Sequence, residues 1–549
     1  MRKVASVAVL FSIVFLLESV DSRGQSSNAG NLLSNSVVGR SRGGKIDASA
    51  IATNTPIKYL VVMFQENQTF DHYFGTYPYA VNPTGEPAFT ALPDTPVING
   101  LCNQWTDLGA CQSTSTLLQH NPNGFNSATP DVQPFRLDRS EAYTCDNDNH
   151  YKDEQEAYDG GLLDKFAQIL SGTAPAPPLT SCMPNLSMGY YDGNTVTALW
   201  NYAQYYAMSD NNFATTFGTT VMGHLNLLAG QTSYASSNGS SAANVSGKIA
   251  NGSIIANVDP ILDDCSTGTV ITVGYTGHPV TNIGDLLSAQ SVTWGWFYGE
   301  WPGQTTTAKN CSTVASANYN PHYVPFQYFA STANPHHLQA TSVSMIGQTD
   351  QANHQYSLTD FWNAVNNGNM PAVTFLKAYY AGTGHPNDTT PLAEQTYLVN
   401  TINQLEKSPY WPEMAIIITY DDSDGWYDHV MPPIVNQSSD SANDALLGST
   451  GLCGTTPSGS PSDRCGYGPR IPFLVVSPFA KQNFVNHSLT DQTSIANFIE
   501  YNWGLGKLGN GSFDAFSGSI LSMFDFEETA PRRILSPTTG EVCENIVCP

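Results

Sequence analysis

The chain has 549 residues, 41 % of them hydrophobic, with a formal net charge of −25 and a pI near 4.6. This hydrophobic content supports a large buried core and excludes an intrinsically disordered chain. The acidic surplus argues against nucleic acid as a partner, because the two polyanions would repel each other. A site for any other anion needs local positive charge from a metal ion, a histidine or a helix N-terminus.

The N-terminus has the pattern of a targeting segment. Arg2 and Lys3 precede an apolar run from Val4 to Leu17. This pattern predicts a signal peptide over residues 1–23 and a secreted or periplasmic protein, with an uncleaved anchor as the alternative. Residues 24–54 are rich in Ser, Gly and Asn and predict a flexible lead-in. No later apolar run is long enough to predict a stable membrane span.

Ten cysteines, an even number, occur in this predicted exported chain. Disulfide bonds are therefore expected, although spacing alone leaves their pairing open. Pairs that are close in sequence are the natural candidates: Cys102 with Cys111, Cys453 with Cys465, and Cys543 with Cys548.

Short apolar runs rich in β-branched residues recur along the chain and predict strands buried on both faces. They cover residues 59–64, 372–376, 414–420 and 471–479. Helical periodicity follows in two segments, 391–408, with Pro391 in the first turn, and 491–503. This alternation predicts an α/β fold with a mostly parallel sheet. Residues 231–320, rich in Ser, Thr, Gly and Asn, predict an insertion or cap over the sheet.

Two polar pairs directly follow predicted strands. Glu66 and Asn67 follow the first strand, and Asp421 and Asp422 follow the strand at 414–420. Functional groups in open α/β sheets gather past the carboxyl ends of strands. Adjacent carboxylates repel each other unless a cation lies between them, so the pattern predicts a hard-oxygen site for a divalent cation. The alternative is that these residues cap helices or turns.

The segment Gly218-Thr219-Thr220 precedes a helical pattern. A hydroxyl group there would meet the free N–H groups and positive end of the helix, which suits a phosphate, although a simple N-cap is the alternative. Histidines in Pro/Gly/Asn-rich loops can bind phosphate and protonate a leaving alkoxide when they are charged, and are otherwise structural or merely exposed. These histidines are His150, His336, His337 and His385.

Several known catalytic motifs are missing from the sequence. It contains no G-x-x-x-x-G-K-[ST], H-E-x-x-H or G-x-S-x-G segment, which argues against nucleotide hydrolases, zincins and α/β-hydrolases.

Motifs in a fixed order identify a family resemblance. "ENQTFDHYFGTYP", "NHYKDEQEAYDGG", "NPHH", "YDDSDGWYDHV" and "GPRIPFLVVSPFAK" occur between residues 57 and 503. In this order they resemble the phosphoesterase family that contains bacterial acid phosphatases and phosphatidylcholine-type phospholipases C. The resemblance implies an alkaline-phosphatase-like, doubly wound α/β sheet between helices. It also implies a catalytic domain over residues 55–530 and a C-terminal tail over 531–549.

The resemblance also implies roles for individual residues. Glu66, Asn67, Asp421 and Asp422 would bind one divalent metal ion. Thr220 would be the nucleophile, with Thr219 as the alternative because it stands where the family usually has proline. The four loop histidines, His150, His336, His337 and His385, would surround the phosphate.

The expected protein is thus a secreted metal-dependent hydrolase of phosphate mono- or diesters, with phospholipids among the candidate substrates. Phospholipase C and acid phosphatase activities both stay open, as does the oligomeric state. One alternative is a non-catalytic exported protein that binds cations or carbohydrate on the same fold. Another is a sulfatase-like or phosphonate hydrolase, and the absence of a C-x-[PA]-x-R segment argues against the sulfatase.

Overall fold

The computed structural model describes most of the chain after residue 45. The described residues are 46–102, 111, 116–124, 132–173, 175–237, 239–305, 311, 318–448, 451, 453–454 and 464–544. The predicted signal peptide and residues 24–45 of the predicted lead-in lie outside this set. Among the described residues, no helix combines the length and apolar character that crossing a membrane requires.

The strands are β1 Tyr59–Gln65, β2 Phe135–Arg136, β3 Gly189–Tyr190, β4 Ala207–Ser209, β5 Asn212–Phe213, β6 Ala235–Ser237, β7 Ser240–Ser241, β8 Ile249–Ala250, β9 Ser253–Ile254, β10 Asp259–Pro260, β11 Val270–Val273, β12 Trp294–Tyr298, β13 Gln355–Ser357, β14 Val373–Lys377, β15 Met414–Tyr420, β16 Phe473–Val476, β17 Phe484–Asn486 and β18 Thr490–Asp491. The helices are α1 Phe70–Phe74, α2 Tyr151–Tyr158, α3 Phe166–Ile169, α4 Thr197–Tyr205, α5 Thr220–Ala229, α6 Ile283–Ala289, α7 Leu358–Asn366, α8 Pro391–Glu406 and α9 Thr493–Trp503.

An eight-stranded sheet forms the centre of the fold, in the order β13-β12-β14-β1-β15-β16-β4-β17. Strand pairs are parallel except where β16 meets β15 and β4, so every strand other than β16 runs in one direction. The predicted α/β fold with a mostly parallel sheet is confirmed. The carboxyl ends of β1, β14 and β15, which are neighbours in the sheet, therefore meet at one edge.

The four predicted strands and both predicted helices are present. All residues of β1 and β15 are buried, as their uninterrupted apolar sequences indicate. Helix α8 begins at Pro391, as predicted, and the hydroxyl of Thr390 caps it by accepting a bond from the Ala393 amide. Helix α9 ends at Gly504 in the left-handed conformation, a common helix stop.

The predicted insertion at 231–320 needs correction in its later part. Residues 235–273 contain a separate four-stranded sheet, β10-β11-β6-β7. Trp294–Tyr298, however, form β12, a fully buried strand of the main sheet between β13 and β14. The prediction was wrong for this segment because Gly295 and the polar sequence around the short aromatic run obscured a strand buried on both faces.

Four disulfide bonds lie among the described residues. Two are predicted pairs, Cys102–Cys111 and Cys453–Cys465, and both predictions are confirmed. The other two, Cys145–Cys182 and Cys265–Cys311, join more distant positions. The predicted pair of Cys543 with Cys548 includes a residue outside the described set.

Candidate active site

The four predicted metal ligands lie together at the carboxyl edge of the sheet. Glu66 and Asn67 follow β1, Asp421 and Asp422 follow β15, and the last residues of these adjacent strands are paired in register. Each of the four is at most 2 % exposed. The backbone N–H of Asn67 donates to Asp421 Oδ1 at 2.9 Å. The parallel sheet therefore converts two separate sequence segments into one cluster of buried oxygens.

Four oxygens in this cluster have no hydrogen-bond partner among the described residues: Glu66 Oε1, which contacts the Lys377 ammonium group, Glu66 Oε2, Asn67 Oδ1 and Asp421 Oδ2. Asn67 Nδ2 donates to Asp424 Oδ1 at 2.9 Å, so the amide oxygen is the atom left free. Burying oxygen atoms without donors is costly. A divalent cation prefers carboxylate and amide oxygens, so the residues present fit one.

The charges of the cluster support the same reading. Burial raises the pKa of Asp422 well above its usual range, and the adjacent Asp421 carboxylate raises it further. Lys377, the last residue of β14, is fully buried and contacts Glu66 Oε1. Burial lowers the pKa of Lys377 to about 8, against the opposing effect of Asp421 and Asp422. One ammonium group thus faces several carboxylates.

His224 joins the cluster from helix α5. A ring nitrogen of His224, a carboxylate oxygen of Glu66 and a carboxylate oxygen of Asp421 all lie within 4.8 Å of one another. Its Nδ1 lies 2.8 Å from the Thr220 carbonyl oxygen, and Nε2 has no hydrogen-bond partner among the described residues. Burial lowers the pKa of His224 to about 4, so the ring is neutral near pH 7. Neither His224 nor Lys377 was predicted from the sequence, although His224 lies four residues after Thr220 and so on the same helix face.

Thr220 is the first residue of α5, and its hydroxyl donates to Asp422 Oδ2 at 3.5 Å. Thr219 occupies the N-cap position without making a side-chain cap, and its hydroxyl has no partner within the described residues. The N-terminus of α5 carries the positive end of the helix dipole to this point. The contact with Asp422 favours Thr220 over Thr219 as the hydroxyl of the site.

Helix α5 approaches the end of β15 closely. A Cβ atom added to Gly223 would lie 2.1 Å from the carbonyl oxygen of Asp421. Only glycine permits this separation. Gly223 therefore sets how near the helix that carries Thr220 lies to the carboxylate pair.

Glu154 of α2 joins the threonine segment to the aspartate segment. Its Oε2 accepts the Gly218 amide at 2.8 Å, and its Oε1 contacts the Ser423 hydroxyl. Burial raises the pKa of Glu154 to about 8. Glu154 was not predicted, and it holds the turn before Thr220 against the residue that follows Asp422.

Two predicted histidines lie on segments attached to the cluster. His150 precedes α2 and its Nδ1 is 2.5 Å from Asp148 Oδ1, which raises the pKa of the histidine. The preceding Asn149 donates to Asp422 Oδ1 at 3.0 Å. His385 lies on the loop after β14, where the Gly384 carbonyl accepts from Gln68 Nε2 at 3.1 Å.

The other two predicted histidines have acidic partners of their own. His336 Nδ1 is 2.8 Å from Asp264 Oδ2, and His337 Nε2 is 3.0 Å from Asp263 Oδ1. Asp263 also accepts from the Tyr319 hydroxyl at 2.6 Å. No hydrogen bond within the described part of the chain joins either histidine to the oxygen cluster. Their placement around a phosphate stays a prediction.

Comparison with known proteins finds phospholipases C among the relatives. The non-hemolytic phospholipase C of Pseudomonas aeruginosa is 25 % identical over 481 residues, covering 86 % of this chain and 57 % of that protein. Phospholipase C B of Mycobacterium tuberculosis is 23 % identical over 497 residues, covering 86 % and 78 %. The chain thus spans little more than half the length of the Pseudomonas protein.

A crystal structure of a protein in the alkaline phosphatase superfamily from Vibrio parahaemolyticus is 12 % identical and covers 55 % of this chain and 59 % of that chain, with a TM-score of 0.27. The model of the Phosphoesterase family matches residues 57–506, which is most of the chain. The protein belongs to the Phosphoesterase family.

Proposed function

We propose that this protein is a metal-dependent hydrolase of phosphoric esters that uses Thr220 as nucleophile and forms a phosphothreonine intermediate. One observation carries the proposal. Four side chains that can bind a metal through oxygen converge from two adjacent strand ends, and several of their buried oxygens have no hydrogen-bond partner among the described residues. The Thr220 hydroxyl donates to one of these side chains, Asp422. The family membership and the phospholipase C relatives support the same reaction class.

Glu66, Asn67, Asp421 and Asp422 would hold a divalent ion, which supplies charge screening for the phosphate and lowers the pKa of a bound hydroxyl. Asp422 Oδ2 accepts the hydrogen bond of the Thr220 hydroxyl and would take its proton. Thr220 Oγ1 then attacks phosphorus in line and the ester alkoxide leaves. Water cleaves the resulting phosphothreonine and regenerates the hydroxyl.

The surroundings of Thr220 favour this reaction. The positive end of α5 faces the negative charge that develops on the phosphoryl oxygens. His150, whose pKa Asp148 raises, keeps its proton to a higher pH and can donate it to the leaving alkoxide. His385 lies on the loop tied to the Glu66 segment and would contact the phosphate from the other strand.

The substrate is proposed to be a phosphate diester, because the relatives are phospholipases C, with phosphate monoesters as the alternative. The disulfide bonds favour an oxidising compartment, so we place the protein outside the cytoplasm.

The test compares Thr220→Ala with Thr219→Ala on a phosphate monoester, a soluble phosphate diester and phosphatidylcholine. Thr220→Ala should lower kcat at least about 10³-fold because the nucleophile is gone. Its bound metal, measured by elemental analysis, should equal that of the wild type. Thr219→Ala should keep most of the activity.

The reverse pattern, with Thr219→Ala inactive and Thr220→Ala active, would move the nucleophile by one residue. Wild-type protein that holds metal but hydrolyses none of the three esters would refute the hydrolase and favour a cation-binding protein. The double variant Asp421→Asn/Asp422→Asn should lose metal, and unchanged metal content would refute the ligand assignment.

A further inference from the structure

A buried carboxylate binds the residues that directly precede Glu66 and Asp421. Glu394 is the fourth residue of α8 and is 1 % exposed. Its Oε1 accepts the Tyr420 hydroxyl at 2.6 Å and Gln65 Nε2 at 3.3 Å. Its Oε2 accepts the Tyr73 hydroxyl at 2.9 Å. A single carboxylate thus receives three hydrogen bonds from three segments.

Two of these donors hold special positions. Gln65 is the last residue of β1 and Tyr420 the last residue of β15, and the two are paired in register. Glu66 and Asp421, the first predicted ligands, follow them directly. Successive side chains of a strand point to opposite faces. Glu394 therefore binds the two side chains, Gln65 and Tyr420, that directly precede these predicted ligands in the chain.

Glu394 also borders the loop that carries His385. A Cβ atom added to Gly384 would lie 2.8 Å from Glu394 Oε2, so the loop packs directly on this carboxylate. Gln65 Nε2 donates to the Gly382 carbonyl of the same loop at 3.0 Å. The β1 end, the β15 end and the His385 loop therefore meet at Glu394.

From this geometry we infer that Glu394 is a positioning residue that fixes the two ligand-bearing strand ends relative to each other and so sets the affinity of the site for its cation. The inference rests on the proposed function, because it assumes that the cluster binds a metal ion. Residues that orient metal ligands typically contribute about 10- to 100-fold to metal affinity. Without Glu394, the buried Tyr73 and Tyr420 hydroxyls would lose their acceptor, and Gln65 would keep only its bonds to the His385 loop. The side chains that directly precede the predicted ligands would then be less firmly held.

The chain contains a matched control on the same helix. Glu406, the last residue of α8, is also fully buried and accepts the Tyr206 hydroxyl at 2.7 Å. Among the described contacts of Glu406, none involves a residue next to a predicted ligand. Loss of either carboxylate should destabilise the protein, but only loss of Glu394 should change metal binding.

The experiment uses the full chain, stripped with a chelator and titrated calorimetrically with Mg²⁺, Ca²⁺, Mn²⁺ and Zn²⁺. For the cation that wild type binds most tightly, Glu394→Ala should raise Kd about 10- to 100-fold. Glu394→Gln, which keeps one acceptor oxygen, should recover part of this loss. Glu406→Ala should leave Kd within about twofold of wild type even if its Tm falls as far as that of Glu394→Ala.

If Glu394→Ala does not fold, Tyr420→Phe removes one of the hydroxyls that Glu394 accepts from and should still raise Kd. Tyr206→Phe, which removes the hydroxyl bound to Glu406, should leave Kd unchanged. Equal Kd values in wild type and the Glu394 or Tyr420 variants would overturn the inference, as would equal weakening by the Glu406 or Tyr206 variants. A wild type that binds none of the four cations would overturn the proposed metal site itself, and the wild-type titration alone shows this.

Discussion

Gly223→Ala tests whether the close approach of α5 to β15 is required. The new Cβ would lie 2.1 Å from the Asp421 carbonyl oxygen, whereas ordinary contact begins at 3.4 Å, so the helix would have to withdraw by about 1.3 Å. Overpacking of this kind costs about 3 kcal/mol at the upper end of its usual range. Alanine returns about 1 kcal/mol through its higher helix propensity. The expected net loss of unfolding free energy is about 2 kcal/mol.

Activity should fall further than this stability loss suggests. Withdrawal of α5 would move Thr220 away from Asp422, and a displacement of about 1 Å in a catalytic group can cost about 10²-fold in rate. Urea unfolding gives the free energy, and kcat/KM on the best phosphate ester gives the rate for folded protein.

Gly504→Ala is the control for the same chemical change. No heavy atom lies within 4 Å of a Cβ at Gly504, which has a positive φ of 63°. This variant should lose about 1 kcal/mol through the backbone conformation alone and keep full activity. The packing argument fails if Gly223→Ala is as stable and as active as wild type.

Three further outcomes follow from the same contacts. Lys377→Met removes the ammonium group that contacts Glu66. The variant should lose about 3 kcal/mol or more of unfolding free energy when the metal has been chelated, and less when the protein is saturated with metal. Equal losses of Tm in the two states would contradict this. Burial raises the pKa of Glu394 from 4.5 to about 7, so between these pH values the folded protein holds a proton that the unfolded chain releases. The unfolding free energy of the chelated wild type should therefore fall as pH rises from 4.5 to 7, by up to about 3 kcal/mol from this group, whereas Glu394→Gln should lack this part of the slope; parallel pH profiles would argue against it. Asn67 begins an Asn-Gln-Thr sequon but is 1 % exposed, so in a glycosylating host glycopeptide analysis should find sugar at the exposed Asn251 and none at Asn67 of active protein.

The predictable part of the site follows from the sheet. Uninterrupted apolar runs reveal strands buried on both faces, and β1 and β15 are parallel neighbours. Polar residues placed just after such strands must then converge, which is why the clustering of Glu66, Asn67, Asp421 and Asp422 could be predicted. The order of the strands could not be predicted, because nothing local in the sequence specifies which strand lies beside which.

The residues that were missed depend on that order. Lys377 belongs to the site only because β14 is the other neighbour of β1. Glu394 appears in sequence as an ordinary charged residue in the first turn of a helix, and its partners are more than twenty residues away in the chain. Strand β12 was missed for a different reason, since a glycine within this short aromatic run and the polar sequence around it interrupt the signal of a buried strand.

The most direct test of the central claim is to locate the phosphoryl group on the enzyme during turnover. Metal-loaded protein is mixed with a phosphate ester, quenched in denaturant at neutral pH so that phosphohistidine would also survive, digested and analysed by mass spectrometry. The account predicts one phosphopeptide with the modification on Thr220, and none when the metal has been removed. A phosphoryl group on Thr219, on a histidine or on any other residue would contradict it.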